Sequence, residues 1–237
     1  MRRRRTVNEP LLLLPGMMCD ARLFAPQFAA LCDSRAVMVA PLTGRTTFEE
    51  LARDILDNAP PRFALAGLSM GGIAAMEMVR QAPQRVSRLA LMDTNPLAEP
   101  DDRAAQRDSQ IERVVAGGLR SVMRDEMKPN YLAEGPNTGR ILDLCMAMAD
   151  ALGAAVFADQ SRALQQRPDQ CETLRGVSVP TLILCGEHDT LCPIDRHEMM
   201  RDLVPGARLA VIREAGHLPV LEQSERTNEE LRQWLNM

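Results

Sequence analysis

Three residues of this chain, far apart in sequence, are suited together to chemistry: a serine between glycines, an aspartate in a glycine-containing turn and a histidine in a glycine-containing loop. The serine is Ser69, in Gly67-Leu68-Ser69-Met70-Gly71. A hydroxyl is a poor nucleophile at neutral pH, so it needs an adjacent base, usually an imidazole, and a carboxylate that holds the imidazole in one tautomer. Such a set performs acyl transfer. Of the three histidines, His217 alone follows the last apolar run, in Glu214-Ala215-Gly216-His217, whereas His188 adjoins the favoured acid and His197 lies in the charged run Asp195-Arg196-His197-Glu198. That acid is Asp189, closing Gly186-Glu187-His188-Asp189. Asp93 follows an earlier apolar run in a similar way and is the second choice. The structural alternatives are an Asx turn for Asp189 and a turn or helix cap for Asp93.

Acyl transfer also develops an oxyanion, which two preorganised backbone N–H groups can bind. Chain order offers two. Met70 N–H opens the helix behind Ser69, and Met17 N–H lies in the turn Pro15-Gly16-Met17-Met18 after the first apolar run. By composition the pentapeptide would arise by chance in roughly 0.03 of chains of this length, so its meaning depends on the elements around it.

Those elements alternate. Leu11 to Leu14 read as a buried parallel strand ended by Pro15-Gly16, and Ala36 to Ala40 as a second. Helices are expected over Ala25 to Leu31 and Thr46 to Asn58, the latter opened by a Thr47…Glu50 capping box. Then come the strand into Ser69, a helix from Met70 to about Gln81, and a strand over Val86 to Met92. The βα alternation stops at Leu97 and resumes at Val179 to Cys185, with a helix over Pro193 to Leu203, a strand over Arg208 to Ile212 and a last helix from near His217 or Pro219. Between them, charged sequence with 3.6-residue spacing, such as Ile111, Val114, Val115, Leu119 and Val122, reads as a helical insertion in roughly two blocks, broken at Pro129, Gly135-Pro136 and Pro168. An alternating βα chain makes a doubly wound, mostly parallel α/β sheet and places its chemistry at the carboxyl ends of the strands. Ser69, Asp189 and His217 all fall there.

The composition narrows the classes. At 237 residues, with 46% hydrophobic and 25% charged residues, the chain can bury a full core as one domain, with core 6–96 and 177–237 and the helical cap insertion 97–176. A net charge of −4 argues against nucleic acid as a partner, and no uninterrupted apolar run suggests a membrane partner. Met1-Arg2-Arg3-Arg4-Arg5 reads as a solvated basic tail rather than an export signal, because Leu11 to Leu14 are too short for a signal core and are needed as a strand. The six scattered cysteines, without a C-x-x-C pair, suit free thiols and a cytoplasmic location better than disulfides or a metal site.

The segments Leu-Leu-Pro-Gly-Met-Met, Gly-Leu-Ser-Met-Gly-Gly, Cys-Gly-Glu-His-Asp-Thr-Leu-Cys-Pro and Ala-Gly-His-Leu-Pro-Val-Leu-Glu-Gln occur in that order, and from Leu11 onward the chain resembles the α/β-hydrolase fold. The resemblance implies a Ser69, Asp189, His217 triad and a helical cap at 97–176. It also implies an enzyme that needs no cofactor and acts on a small acyl substrate. The chain departs from the pattern at Pro15, where many members carry His, and in its short N-terminus, where Thr6-Val7 is the only remnant of the family's first antiparallel strands. The serine excludes the family's aspartate-nucleophile branches. Hydrolysis of small or medium acyl esters through an acyl-enzyme is the expectation. Thioesterase, lactonase, carbon–carbon bond hydrolase, aminopeptidase and perhydrolase chemistry use the same triad, and a binding-only protein is the reading from a different class. With only 3% aromatic residues, a soft pocket built by Met18, Met123, Met127, Met146 and Met148 beside Met17 and Met70 is expected. Arg113, Arg120, Arg124 and Arg140 are candidates to bind an acid group, against the simpler reading of solvated helix faces.

Overall fold

A computed structural model of the chain describes residues 9–237. The basic tail and the Thr6-Val7 remnant lie outside the described residues. Six strands form one sheet in the order β2-β1-β3-β4-β5-β6, and every adjacent pair is parallel. They are β1 (Leu11–Leu14), β2 (Val37–Val39), β3 (Phe63–Leu68), β4 (Val86–Met92), β5 (Thr181–Gly186) and β6 (Arg208–Ile212). The four leucines of β1 are buried on both faces of the sheet, each contributing roughly 1.5–3 kcal/mol of transfer free energy. Alternation sorts them. Leu12 and Leu14 join Leu65, Leu89, Leu91 and Ile183 in one core, while Leu11 and Leu13 join Ala64, Ala66, Ala90 and Leu182 in the other.

Helices cover both faces. The first core is closed by α2 (Phe48–Asn58) and α3 (Met70–Gln81), the second by α1 (Ala25–Leu31) and α10 (Ser224–Leu235), whose Trp234 is fully buried. Thr47 caps α2 by accepting from Glu50 N–H, so the helix begins at Phe48 rather than at Thr46. Strand register sets the chemistry. Leu68 pairs with Met92 and Met92 with Leu184, so Ser69, Asp93 and the turn after β5 emerge level at the same carboxyl edge.

Between β4 and β5 the chain is helical: α4 (Asp101–Arg113), α5 (Leu119–Val122), α6 (Thr138–Gln165) and α7 (Cys171–Arg175). The expected first block is divided further. Wide π-type turns at Val114–Gly118 and Met123–Met127 interrupt it, the first around Gly117 at φ 98°, a glycine given no weight in the periodic pattern. Helix α6 is bent at Gly153, with φ 81° and ψ 176°. It is also the one helix among the described residues long and apolar enough to cross a membrane, with an 18-residue window of mean hydropathy 1.8. Here its Ile141, Met148 and Phe157 pack into the two cores.

Candidate active site

Ser69 sits between β3 and α3 with φ 55° and ψ −117°, a conformation that costs a non-glycine residue strain. The surroundings hold it. Ser69 N–H donates to Met92 O (2.9 Å), and Thr94 Oγ1 donates to Ser69 O (2.7 Å). A Cβ at Gly67 would lie 2.2 Å from Gly71 O, and one at Gly71 only 2.1 Å from Leu14 O, so the turn closes only with glycine at both places. The serine hydroxyl therefore stands at the N-terminus of α3, over the sheet edge.

His217 lies in the loop between β6 and the short helix α9 (Pro219–Glu222). Glu222 ties that loop together: its carboxylate accepts from Gly216 N–H (2.9 Å), Leu218 N–H (2.9 Å) and Ala133 N–H of the insertion (2.8 Å). His217 N–H donates to Tyr131 O at 2.6 Å, and the Tyr131 ring lies 5.8 Å from the imidazole. The insertion thus grips the histidine from the far side.

The three side chains meet. His217 Nε2 is 2.9 Å from Ser69 Oγ and His217 Nδ1 is 2.8 Å from Asp189 Oδ2. Asp189 Oδ1 accepts from Leu191 N–H (2.9 Å) and Cys192 N–H (3.1 Å), which fixes the carboxylate in its turn. Burial opposes its charge, but the facing imidazole and these N–H donors hold the carboxyl below its ordinary value. With Asp189 ionised, Nδ1–H donates and Nε2 is left to accept from the serine.

Asp93, the second choice for the acid, is not brought to His217 by any hydrogen bond among the described residues. It is fully buried at φ 45°, and its Oδ1 accepts from Gly186 N–H at 2.8 Å. Burial and the charge of Asp189 push its carboxyl well above the usual range, which favours its protonated form beside Asp189. His197, on α8 (Ile194–Leu203), is equally buried. Its Nε2 accepts from Thr94 N–H (3.2 Å), its Nδ1 lies 3.2 Å from Pro193 O, and burial lowers its pKa to about 4. It is a neutral strut beneath the site. His188 is exposed beside Glu187.

Met70 is the first residue of α3, where an N–H has no intrahelical acceptor, and Met17 lies in the turn after β1. Met18 differs: at φ 54° its N–H donates to Gln160 Oε1 (2.8 Å), and Gln160 Nε2 donates on to Leu42 O (2.8 Å). Gln160 therefore pins the β1 turn from α6. It was missed in the sequence, where the only signal is an amide inside an apolar stripe. Glu222 and Tyr131 were missed too, since the carboxylate of one bonds only backbone N–H groups and the other acts through its backbone carbonyl.

A cavity of about 470 Å³ opens over Ser69 and His217. It is not the methionine pocket expected. Met17, Met70 and Met127 line it, but Met18, Met123 and Met148 are packed into the cores, and Met146 lines a separate cavity of about 610 Å³ on the insertion. The apolar stripes of the insertion are used in packing, so these side chains turn away from the site. Of the candidate arginines, Arg113 pairs with Glu126, Arg120 with Asp150 and Arg124 with Asp125, as solvated helix faces paired with neighbouring acids would. Arg140 lines neither cavity.

A family model for the alpha/beta hydrolase family matches residues 11–230. The chain belongs to that family. A pimeloyl-[acyl-carrier protein] methyl ester esterase of Legionella pneumophila is 23% identical, over 91% of this chain and 90% of its own. The carboxylesterase YbfK of Bacillus subtilis is 25% identical, over 95% of this chain and 79% of its own. Among solved structures, a thermophilic esterase from Thermogutta terrifontis, malate bound, superimposes with a TM-score of 0.89 at 29% identity, covering 97% of this chain and 90% of the other. By family and kinship the chain is a carboxylesterase-like hydrolase.

As for metals, the described residues of this alpha/beta hydrolase contain one group with ligand atoms mutually within 4.8 Å, namely Asp189, Cys192 and His217. Its donors are already committed. Asp189 and His217 bond each other, and burial with the nearby carboxylates pushes the Cys192 thiol well above its usual range.

Proposed function

We propose that this hydrolase cleaves small or medium acyl esters through an acyl-enzyme on Ser69, with His217 as base and acid, Asp189 as the orienting carboxylate and the N–H groups of Met17 and Met70 as the oxyanion donors. The observation that carries the reading is the continuous contact Ser69 Oγ, His217 Nε2, His217 Nδ1, Asp189 Oδ2, with both links under 3 Å. The ester specificity is supported by the named activities of the Legionella, Bacillus and Thermogutta relatives.

In this scheme Ser69 Oγ attacks the ester carbonyl carbon while its proton passes to His217 Nε2, and the oxygen that becomes negative accepts from the two N–H groups. Collapse breaks the bond to the alcohol oxygen, which takes the proton back from His217. Water then repeats the sequence on the acyl-enzyme, releasing the acid and restoring the serine. Asp189 stays ionised throughout and stabilises the imidazolium. Residues 97–176 act as the cap that shapes the substrate space.

Steady-state hydrolysis of p-nitrophenyl esters from two to eight acyl carbons tests it. Turnover of the shorter members that disappears in Ser69→Ala is expected. A folded wild-type protein that turns over none of them would sink the proposal.

A further inference from the structure

The face that α4 turns to the cavity is polar where a core-packing helix would be apolar. Arg103, Gln106, Arg107 and Gln110 stand at i, i+3, i+4 and i+7 and all line the cavity over Ser69. Arg167, from the loop after α6, lines it as well. Beneath them Glu99, with its side chain only 1% exposed, bridges two guanidiniums: Arg107 Nε at 2.7 Å and Arg167 Nη2 at 2.8 Å. Those two side chains are 14% and 9% exposed. One carboxylate between two desolvated arginines leaves a positive charge in a space where an unbalanced charge is costly.

Three further observations point the same way. Arg167 Nε is buried without a hydrogen-bond partner among the described residues. Arg103 and Arg196, which also line the cavity, have no ion pair among the described residues. Burial, together with the like charges of Arg107 and Arg103, pushes the Arg167 guanidinium down despite Glu99. The other acid of the lining, Glu126, is already matched by Arg113. In a chain of net charge −4, this is a positive cavity in an acidic protein, and Ser69 and His217 line the same cavity, where Arg107 Nη1 lies 3.9 Å from Met17 Sδ.

We propose that Arg103, Arg107 and Arg167, set around Glu99, form a carboxylate-binding subsite, so that the ester this enzyme prefers carries a free carboxylate, as a half-ester of a dicarboxylic acid does. The inference rests on ester hydrolysis at Ser69 for its name of substrate. The anion site itself does not depend on it. A planar guanidinium presents paired donors that match a carboxylate, and Glu99 orients two of the three while cancelling only one charge. The neutral remainder of the cavity, with Met70, Ile73, Leu164 and Leu191, takes the short chain between carboxylate and ester.

The test is calorimetric titration of the full-length Ser69→Ala protein with monomethyl glutarate, dimethyl glutarate and inorganic phosphate. The half-ester should bind at least about tenfold more tightly than the neutral diester, and the gap should narrow with salt. Arg103→Gln, at an exposed position without an ion pair, should reduce the half-ester's advantage by about tenfold. Arg167→Gln should reduce it more, and thermal melts of both variants separate that effect from unfolding. Equal affinity for half-ester and diester, phosphate binding more tightly than the half-ester, or a folded Arg103→Gln with unchanged preference would each overturn the subsite. Binding as expected in a protein whose wild type hydrolyses no ester would uphold the subsite and reject the esterase reading.

Discussion

The carboxyl edge of the sheet and the helical insertion above it are built on opposite terms. At the edge, each functional side chain is fixed by backbone that has nowhere else to go: Ser69 is held at positive φ between glycines with no room for a Cβ, and Asp189 is held by the N–H groups of Leu191 and Cys192. The insertion instead meets the site with long, charged side chains on α4 and on the loop after α6, joined by Glu99. Rigid groups suit bond-making, where a small misplacement is costly, whereas long cations around a cavity suit selection among substrates. On the proposed function, the chemistry belongs to the sheet and the choice of substrate to the insertion.

That division can be broken most easily at its strongest point. Ser69→Ala should lower kcat by about 10⁴-fold or more with little change in melting temperature, measured with p-nitrophenyl acetate. Asp189→Asn follows, with a loss of roughly 10³- to 10⁴-fold in kcat, because the amide no longer holds His217 as the correct tautomer. Asp93→Asn, one strand away, should keep kcat within about threefold of wild type, because an amide resembles the protonated carboxyl that burial and Asp189 favour there. If the two variants exchanged their effects, the assignment of the acid would be reversed.

His197 sharpens the comparison through pH. Its folded value of about 4 lies below the ordinary 6.5, so the unfolded chain takes up the proton first as the medium is acidified. Its contribution is therefore complete above about pH 6.5 and is lost as the pH falls toward 4, by something on the order of 3 kcal/mol. Denaturant melts between pH 7 and 4 should show this loss, and His197→Gln should flatten it. The smallest effect belongs to the insertion's outer face: Arg120→Ala removes only an exposed pair with Asp150 and should leave both kcat/KM and melting temperature unchanged.

The same contrast explains what could be read in the sequence. Strands β1 to β6, the order of Ser69, Asp189 and His217, and the place of the insertion were legible because each is tied to a strong local constraint: a wholly apolar run, a glycine where nothing else fits, a turn after a strand; β2 differs in being partly exposed rather than buried. The sequence favoured Asp189 over Asp93 as the acid, and the path of the β6 loop brings His217 Nδ1 to within 2.8 Å of Asp189 Oδ2. The pocket was misread. Apolar stripes say which face of a helix is buried but not whether it packs or lines a cavity, so Met123, Met146 and Met148 were placed at the site and are not there. The polar i, i+3, i+4, i+7 stripe of Arg103, Gln106, Arg107 and Gln110 was visible in the sequence, yet it carried meaning only once α4 was known to turn that face toward Ser69.

If Ser69 is a nucleophile activated by His217, a fluorophosphonate should label it covalently, which intact-mass spectrometry reads. One adduct on the wild-type protein, mapped to Ser69 and absent from Ser69→Ala, is the result predicted. A folded wild-type protein that stays unmodified, or an adduct that persists in Ser69→Ala, would contradict it.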